Sequence, residues 1–203
     1  MWSWNDVYYR AYRLDRNGKS TTAQMFADAL IPVWDADATV HRLYAAGGAA
    51  VPIVQTHYPQ VIENNHISRT KLRDLIANRP ATLDHLQILV HPLVAASRHD
   101  FLDAHKGQIV VLDIPLLFET NAEKICNAIV VVSAPLDVQR DRVLARGAMS
   151  QRDYDLIVAR QMPDADKRAR ADYIVETLTL DGARTAVRHI ISDIRENHAP
   201  DCS

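Results

Sequence analysis

The chain contains little cysteine and little glycine, with two cysteines and six glycines in 203 residues. Cys126 and Cys202 lie far apart and lack the spacing of a metal or redox site, which excludes a disulfide framework and indicates a reducing compartment. No basic stretch followed by an apolar one opens the chain, and no apolar run approaches the roughly 20 residues of a membrane span. We therefore expect a cytoplasmic protein without a membrane partner.

An excess of positive charge is also missing, because the formal net charge is -2 at pH 7. No global positive field exists to hold nucleic acid, so an anionic ligand must be bound locally. The hydrophobic content of 48% is enough for one full core. Length and composition together predict a single domain over 1–203 with insertions.

The order of apolar and polar residues along the chain predicts strands that alternate with helices. Apolar residues at helical spacing from Ser20 onward predict a helix that Pro32 ends, and Val33-Trp34 predicts a short strand that delivers Asp35 and Asp37. Further strands are predicted at residues 7–12, 108–112, 128–132 and 173–175, and a last helix carries an apolar stripe of Val187, Ile190, Ile191 and Ile194. This order predicts an α/β fold with a doubly wound parallel sheet.

Two segments interrupt that core. Residues from about 38 to 106 show a helical pattern without a convincing strand, which predicts a helical insertion over the carboxyl edge of the sheet. Residues 138–171 are rich in arginine; a helix is predicted to begin at Ser150 and to end at Pro163, so we expect a lid here. The core then comprises residues 1–37, 107–137 and 172–203.

The tetrapeptide Gly18-Lys19-Ser20-Thr21 is the second half of the phosphate-binding pattern G-x-x-x-x-G-K-[ST]. It opens a predicted helix, where backbone N–H groups and the helix dipole favour phosphate. In this interpretation Lys19 reaches the β- and γ-phosphates of a nucleotide and Ser20 ligates Mg²⁺. A bare tetrapeptide of this kind is more often a solvated turn with a helix N-cap, so the hypothesis depends on the rest of the chain.

From Gly18 to about Tyr173 the chain closely resembles the dephospho-CoA kinases, P-loop enzymes that phosphorylate the ribose 3′-hydroxyl of dephospho-CoA to complete coenzyme A. The family's landmarks occur in order and at matching spacing. They are Gly18-Lys19-Ser20-Thr21, Val33-Trp34-Asp35-Ala36-Asp37, Ile67-Ser68-Arg69 with Leu72, His91-Pro92-Leu93, Asp113-Ile114-Pro115-Leu116-Leu117-Phe118-Glu119, Gln139-Arg140-Asp141-Arg142, Arg146 and Ala159-Arg160-Gln161-Met162.

The resemblance implies ATP and Mg²⁺ as cofactors and dephospho-CoA as substrate. It makes Asp37 the catalytic base, with Lys19 as the second catalytic residue, and Ser20 and Asp113 the Mg²⁺ ligands. ATP would contact Arg16, Asn17, Gly18, Lys19, Ser20, Thr21, Arg142 and Arg146. The substrate would contact Asp37, Arg69, His91, Pro115, Leu116, Leu117, Arg140 and Arg160.

Each of these roles has a structural alternative. Asp37 could cap the following helix, although Asp35 is the better candidate for that role. Asp113 could be an ordinary aspartate in a turn with Pro115, and His91 a packed residue. The arginines of the lid could form a solvated helix face.

The sequence departs from the family before Gly18. Arg13 and Arg16 stand where the phosphate loop needs glycines, whose backbone can turn with positive φ and approach phosphate closely. Arg10 also places a charge in the predicted central strand, which is costly unless it is paired. We expect weak or absent activity from a chain with this loop.

A frameshift offers an interpretation of residues 8–17. With suitable third bases, codons for residues 8–18 that are read one base late encode Ile-Ile-Gly-Leu-Thr-Gly-Ser-Ile-Gly-Met-Gly, the strand and loop of the family. The first base of every shifted codon is dictated by the written sequence, and each one fits.

Two rival functions are compatible with these residues. One is a P-loop kinase for a nucleoside or nucleotide, which the choice of acceptor would distinguish. The other is an inactive P-loop scaffold, suggested by Arg13 and Arg16, which would show no Mg²⁺-dependent nucleotide binding.

Overall fold

A computed structural model describes residues 9–12, 19–114, 117–118, 122–145 and 162–197. The chain divides into two compact units. The first combines Met1–Trp34 with His105–Ser203, and the second is Asp35–Ala104. The sequence placed its helical insertion at about 38–106, close to the bounds of the second unit.

The first unit is built on a five-stranded sheet with the order β2-β5-β1-β6-β7. Its strands are β1 (Tyr9–Tyr12), β2 (Val33–Asp35), β5 (Val111–Asp113), β6 (Ala128–Ser133) and β7 (Tyr173–Glu176). Strand β1 pairs in parallel with β5 and β6, and β6 pairs in parallel with β7. The parallel sheet with β1 at its centre confirms the predicted fold class.

Four helices of the first unit accompany these strands in the described ranges. They are α1 (Lys19–Asp28), α6 (Leu136–Ala145), α7 (Asp164–Ala169) and α8 (Leu180–Asn197). The predicted apolar stripe of α8 is buried in the same core cluster as Val130, Val132 and Val175 of the sheet. Successive residues of β6 are buried, so both faces of this strand are shielded from water. This accounts for its run of β-branched residues without alternation.

Helix α1 ends at Asp28, four residues before the predicted end at Pro32. Leu30 adopts the left-handed conformation, with φ of 62°. Its N–H donates to the Ala27 carbonyl at 2.9 Å, and the Ile31 N–H donates to the Phe26 carbonyl at 3.0 Å. These two bonds form a Schellman motif, in which Ile31 packs in the same core cluster as Phe26. The helix therefore ends by its own capping motif rather than at the proline.

The second unit is mainly helical. Its helices are α2 (Ala36–Tyr44), α3 (Ala50–His57), α4 (Arg69–Asn78) and α5 (Ala81–Ala104), with a short 3₁₀ turn at Pro59–Val61. A core of its own includes Val51, Val54, Val61, Leu72 and Val90. The helical pattern predicted for this stretch is confirmed.

The expectation that the second unit lacks strands is wrong. Strands β3 (Ile62–Glu63) and β4 (His66–Ile67) form a short antiparallel hairpin. Asn64 and Asn65 between them both have positive φ, at 45° and 59°. Asparagine tolerates the left-handed region, and two such residues form the turn that suits a two-residue hairpin loop. The Asn-Asn pair was the signal for this hairpin in the sequence.

Strand β5 is also displaced from its prediction. It comprises Val111–Asp113 instead of residues 108–112, although Val110 is fully buried as well. The Val111 N–H donates to the Pro32 carbonyl at 2.8 Å, so the first bond of the strand is made to the segment that follows α1. An apolar run marks burial, but the ladder of hydrogen bonds decides where the strand begins.

Candidate active site

The start of helix α1, where the predicted phosphate-binding motif ends, lies at the carboxyl edge of the sheet. Helix α1 follows β1 and is about 15 Å long, from its ten residues and the α-helical rise. The chain after α1 reaches Pro32, whose carbonyl accepts a hydrogen bond from the N–H of Val111 at the amino end of β5. The helix therefore begins with Lys19 at the opposite, carboxyl edge, where open α/β sheets bind their ligands.

Asp113 lies at the same edge, because it is the last residue of β5 and β5 runs parallel to β1. Its side chain is buried, with the residue only 1% exposed. An ionised carboxylate in such a place is costly unless cations or hydrogen-bond donors stabilise it. A buried strand-end aspartate beside the start of the Lys19 helix fits the predicted metal-binding role better than the role of a surface turn residue.

The first turn of α1 presents hydroxyl groups to solvent. Ser20 and Thr21 are exposed, while Thr22 is buried. Carboxylate and hydroxyl oxygens are suitable ligands for Mg²⁺, which usually keeps several of its own waters. Ser20 and Asp113 thus have the chemistry and the topological position expected of the metal ligands.

The two aspartates of the landmark Val33-Trp34-Asp35-Ala36-Asp37 have different surroundings. Asp35 is the N-cap of α2, and its carboxylate accepts a hydrogen bond from the Ala38 N–H at 3.0 Å. The suggestion that Asp35 has this structural role is confirmed. Asp37 lies in the first turn of α2, two residues beyond the strand that was expected to deliver it, and its side chain is exposed. An exposed carboxylate can receive a proton from a bound substrate.

Arg69 begins α4 and lines a pocket of about 480 Å³ within the second unit. His41, Tyr44, His66 and the buried Ser68 line the same pocket. Burial raises the pKa of the Tyr44 phenol above its ordinary value, and the positive charge of Arg69 partly opposes that rise. The phenol therefore stays neutral at physiological pH, beside a guanidinium that can bind an anionic group.

The turn on one side of this pocket depends on two glycines. Ala45 and Ala46 line the pocket, and Gly47 after them has φ of 78°. At Gly48 a Cβ atom would lie 2.2 Å from the Leu43 carbonyl oxygen, so no other residue fits without backbone movement. The Gly-Gly pair lets the chain turn sharply after α2 and keeps this wall of the pocket in place.

Other predicted substrate residues are less clearly placed. His91 is exposed on α5 and is not among the residues that line the pocket of Arg69. Arg140 is exposed on α6 and forms an ion pair with Asp141 at 3.1 Å. Leu117 is fully buried beyond the end of β5. Of these predicted substrate residues, Arg69 lines the pocket of the second unit described above.

Several predicted site residues lie outside the described part of the chain. They are Arg16, Asn17, Gly18, Pro115, Leu116, Arg146 and Arg160. Lys19 and Arg142 are described as members of α1 and α6, but their side chains are not. The start predicted for the lid helix, near Ser150, also falls outside, whereas Pro163 is the N-cap of α7.

A polar network at the carboxyl ends of β6 and β7 was missed in the sequence. The Ser133 hydroxyl donates to the Asp164 carboxylate at 3.0 Å and accepts a hydrogen bond from Arg168 at 3.2 Å. Arg168 also donates to Glu176 at 2.9 Å. Lys167, between them on α7, is only 1% exposed. No sequence motif marks this network, since its members come from three separate elements.

The described residues contain neither a metal-binding cluster nor a membrane-spanning helix. In that part of the chain no three His, Cys, Asp or Glu side chains are grouped as a metal centre would require. None of the helices described is both long and apolar enough to pass through a bilayer.

Comparison with known protein families shows which family this chain belongs to. A model of the family described as dephospho-CoA kinase matches residues 16–180. The chain belongs to the dephospho-CoA kinase family. The match leaves residues 1–15, including Arg10 and Arg13, outside it.

Curated relatives agree with this membership in the dephospho-CoA kinase family. The dephospho-CoA kinase of Cereibacter sphaeroides is 52% identical over 179 residues, which cover 88% of this chain and 91% of the relative. That of Jannaschia sp. is 51% identical over 180 residues, with coverage of 88% and 92%. A relationship at this level does not favour the rival functions, a nucleoside kinase or an inactive scaffold.

Solved structures agree on the fold of this family. Protein TT1252 of Thermus thermophilus matches with a TM-score of 0.80 and 28% identity, over 94% of this chain and 98% of that protein. The dephospho-CoA kinase of Campylobacter jejuni matches with a TM-score of 0.68 and the same coverage, at 20% identity. A shikimate kinase of Bacteroides thetaiotaomicron matches at 0.51 and 13%, over 93% of this chain and 98% of that one. The likeness confirms the P-loop kinase fold predicted from the sequence.

Proposed function

We propose that this protein transfers the γ-phosphate of ATP to the ribose 3′-hydroxyl of dephospho-CoA, the last step of coenzyme A biosynthesis. The reaction follows from membership of the dephospho-CoA kinase family. One structural observation supports it above the others: parallel β1 and β5 bring the start of the Lys19 helix and the buried Asp113 to one edge of the sheet. That is where a P-loop kinase binds its nucleotide.

The nucleotide side of the reaction uses the first unit. The N-terminal turn of α1 provides backbone N–H groups and a positive dipole end for phosphate. Lys19 would contact the β- and γ-phosphates, and Ser20 and Asp113 would hold Mg²⁺. When bound, Mg²⁺ supplies positive charge that offsets the charge of the phosphates.

The acceptor side uses the second unit. The pocket lined by Arg69, His41 and His66 would bind an anionic part of dephospho-CoA, such as its diphosphate. Asp37 would accept the proton of the ribose 3′-hydroxyl as that oxygen bonds to the γ-phosphorus and ADP departs. Asp37 is exposed, whereas the Asp35 carboxylate caps α2. Both observations support Asp37, and not Asp35, as the proton acceptor.

A pair of matched variants tests the assignment of the base. Asp37→Asn removes the proton acceptor. In a chain whose residues 8–17 carry the glycine-containing shifted reading, we expect kcat to fall about 10²–10⁴-fold in a coupled assay with dephospho-CoA and ATP·Mg²⁺. Asp35→Asn also removes one negative charge, but asparagine caps a helix as well as aspartate does, so kcat should stay within about twofold. A large loss for Asp35→Asn with full activity of Asp37→Asn would reverse the assignment.

The acceptor is tested separately by a substrate screen. Dephospho-CoA and the nucleoside monophosphates are compared at equal concentration with ATP·Mg²⁺, in the chain whose residues 8–17 carry the glycine-containing shifted reading. We expect turnover of dephospho-CoA at least about tenfold above any nucleoside monophosphate, because only the former offers a pantetheine arm and a diphosphate together. Preferred phosphorylation of a nucleoside monophosphate would contradict the proposed function.

A further inference from the structure

The N-terminus of helix α4 leaves several hydrogen-bond donors without an acceptor in the helix. The first bond within α4 runs from the Leu72 N–H to the Ser68 carbonyl at 2.9 Å. The N–H groups of Arg69, Thr70 and Lys71 lie before that bond, so the helix offers them no carbonyl. The first turn of α4 contains no acidic residue. An anion is the partner that such a helix end favours.

Ser68, the residue that precedes α4, is a second and independent sign of a ligand. Its N–H donates to the Val61 carbonyl at 2.9 Å and its carbonyl accepts the Leu72 N–H, so its backbone groups are both bonded. Its hydroxyl does not cap the helix and makes no hydrogen bond within the described part of the chain. Ser68 is only 8% exposed, yet it lines the pocket of about 480 Å³ in the second unit. Because buried hydroxyls are normally hydrogen-bonded, this one lacks a partner that a ligand in the pocket would supply.

The charge of the pocket also favours an anion. Its lining residues in the described ranges include Arg69, His41 and His66, and no carboxylate is among them. The Arg69 guanidinium forms neither an ion pair nor a hydrogen bond with any described residue, so its charge is available to a ligand. Glu63 does not line the pocket, and its carboxylate lies 3.7 Å from the ammonium of Lys71. The pocket therefore has a local positive field.

These donors are held in place before any ligand binds. Val61, whose carbonyl accepts the Ser68 N–H, is fully buried. Ile67 before Ser68 and Leu72 after it belong to the core of the second unit together with Val61. Packing of these three residues fixes the backbone at the start of α4. An anion can then bind without having to order its own site.

Helix α2 connects this pocket to the proposed proton acceptor. Asp37, His41 and Tyr44 occupy positions i, i+4 and i+7 of α2 and so share one face of the helix. His41 and Tyr44 line the pocket, and Asp37 precedes His41 by one turn, about 6 Å along the axis. A single sugar ring separates the 3′-hydroxyl of a ribose from its 5′-phosphate. The face of α2 thus suits a ribose whose hydroxyl meets Asp37 while its phosphate enters the pocket.

We infer that the Ser68 hydroxyl, the Arg69 guanidinium and the N–H groups of Arg69, Thr70 and Lys71 bind one phosphate group, here called the α4 phosphate site. In the reaction this is the 5′-phosphate of the ribose that is phosphorylated. That assignment rests on the proposed function, in which dephospho-CoA is the acceptor. The site itself requires only a phosphate group, so inorganic pyrophosphate binds there as well.

Calorimetric titration of the full-length protein with dephospho-CoA is the first test. Ser68→Ala removes only the hydroxyl, and we expect the Kd to rise about tenfold, because a hydrogen bond to a charged group is lost. Ser68→Asp places a like charge against the phosphate, so the Kd should rise at least about hundredfold. Its Tm should not fall, because aspartate caps a helix as well as serine does. A purely structural role of Ser68 would instead leave the affinity of Ser68→Asp unchanged.

Ser192→Ala on α8 is the matched control. It removes the same group from a serine whose hydroxyl donates to Glu196 at 2.8 Å, in the first unit and outside the pocket. We expect wild-type affinity for dephospho-CoA in this variant. Wild-type affinity in either Ser68 variant would overturn the inference.

Inorganic pyrophosphate, titrated without Mg²⁺, tests the α4 phosphate site independently of the acceptor. We expect the backbone amide resonances of Arg69, Thr70 and Lys71 to shift, and the shift to need about tenfold more pyrophosphate in Ser68→Ala. Because these resonances report on one helix end, pyrophosphate bound at the phosphate loop does not produce the signal. Absence of the shift in the wild type would overturn the inference. If the shift occurs but dephospho-CoA does not bind, the proposed function is refuted and the α4 phosphate site stands.

Discussion

Replacement of Leu30 by glycine should stabilise the protein. Leu30 occupies the left-handed position of the Schellman motif after α1, with φ of 62°. This position is usually glycine, because any Cβ atom is crowded there. The side chain of Leu30 is 90% exposed, so it contributes almost no buried apolar area that a substitution could lose.

The magnitude follows from two opposing effects. The left-handed conformation costs an L-residue about 1–2 kcal/mol, and glycine relieves this cost. Glycine also makes the unfolded chain more flexible, which costs about 0.4–1 kcal/mol. The free energy of unfolding should therefore rise by about 0.5–1 kcal/mol in Leu30→Gly. For a chain of this size that corresponds to an increase in Tm of about 1–4 °C.

Urea and thermal denaturation followed by circular dichroism measure this change. Leu30→Ala is the matched control, since it removes the same exposed apolar atoms but keeps the Cβ atom. We expect Leu30→Ala to have the stability of the wild type within about 0.5 kcal/mol, the scatter expected at an exposed position. Equal stabilisation by alanine and by glycine would refute the explanation from backbone strain.

Two further predictions concern the first unit and the phosphate loop. The hydrogen bond from the Tyr173 hydroxyl to Asp193, together with burial and nearby negative charge, raises the pKa of Tyr173 to about 12. The protonated phenol therefore stabilises the fold below about pH 10, and this contribution is lost as the pH rises through 12. In urea titrations, Tyr173→Phe should lower the free energy of unfolding by about 1 kcal/mol at pH 8. The loss should become smaller as the pH rises above about 10. Replacing residues 8–17, with Arg13 and Arg16, by the shifted glycine-containing reading should convert weak or absent kinase activity into normal activity in the coupled assay. Equal high rates of both chains would contradict that prediction, and an undisturbed reading frame on resequencing the gene would exclude a frameshift error.

Much of the fold was predictable because its signals are local. The β-branched run of β6 and the apolar stripe of α8 identify a covered parallel sheet and the helix on it. Asp35 was correctly chosen as a helix cap, since capping depends on a residue and its next three neighbours. The family was predicted from ordered landmarks, and the match over residues 16–180 confirms it.

The errors have physical causes of their own. The end of α1 was placed at Pro32, because a proline is a visible stop whereas a left-handed leucine is not. The β3–β4 hairpin was missed, because strands of two residues carry no alternation to detect. The start of β5 depends on a hydrogen bond to the Pro32 carbonyl, a partner far away in sequence.

The sequence by itself determined the class of the fold, the family and the residues proposed for chemistry, because apolar periodicity and motif spacing are properties of the chain alone. Only the tertiary structure decided that Asp113 is buried at the edge where α1 begins, and that Arg69 lines the pocket of the second unit, whose lining residues do not include His91. It also decided that Arg170 contacts Phe118 and Glu123. Burial and contacts between distant segments depend on how strands pair and helices pack, and no local pattern encodes which partners will meet.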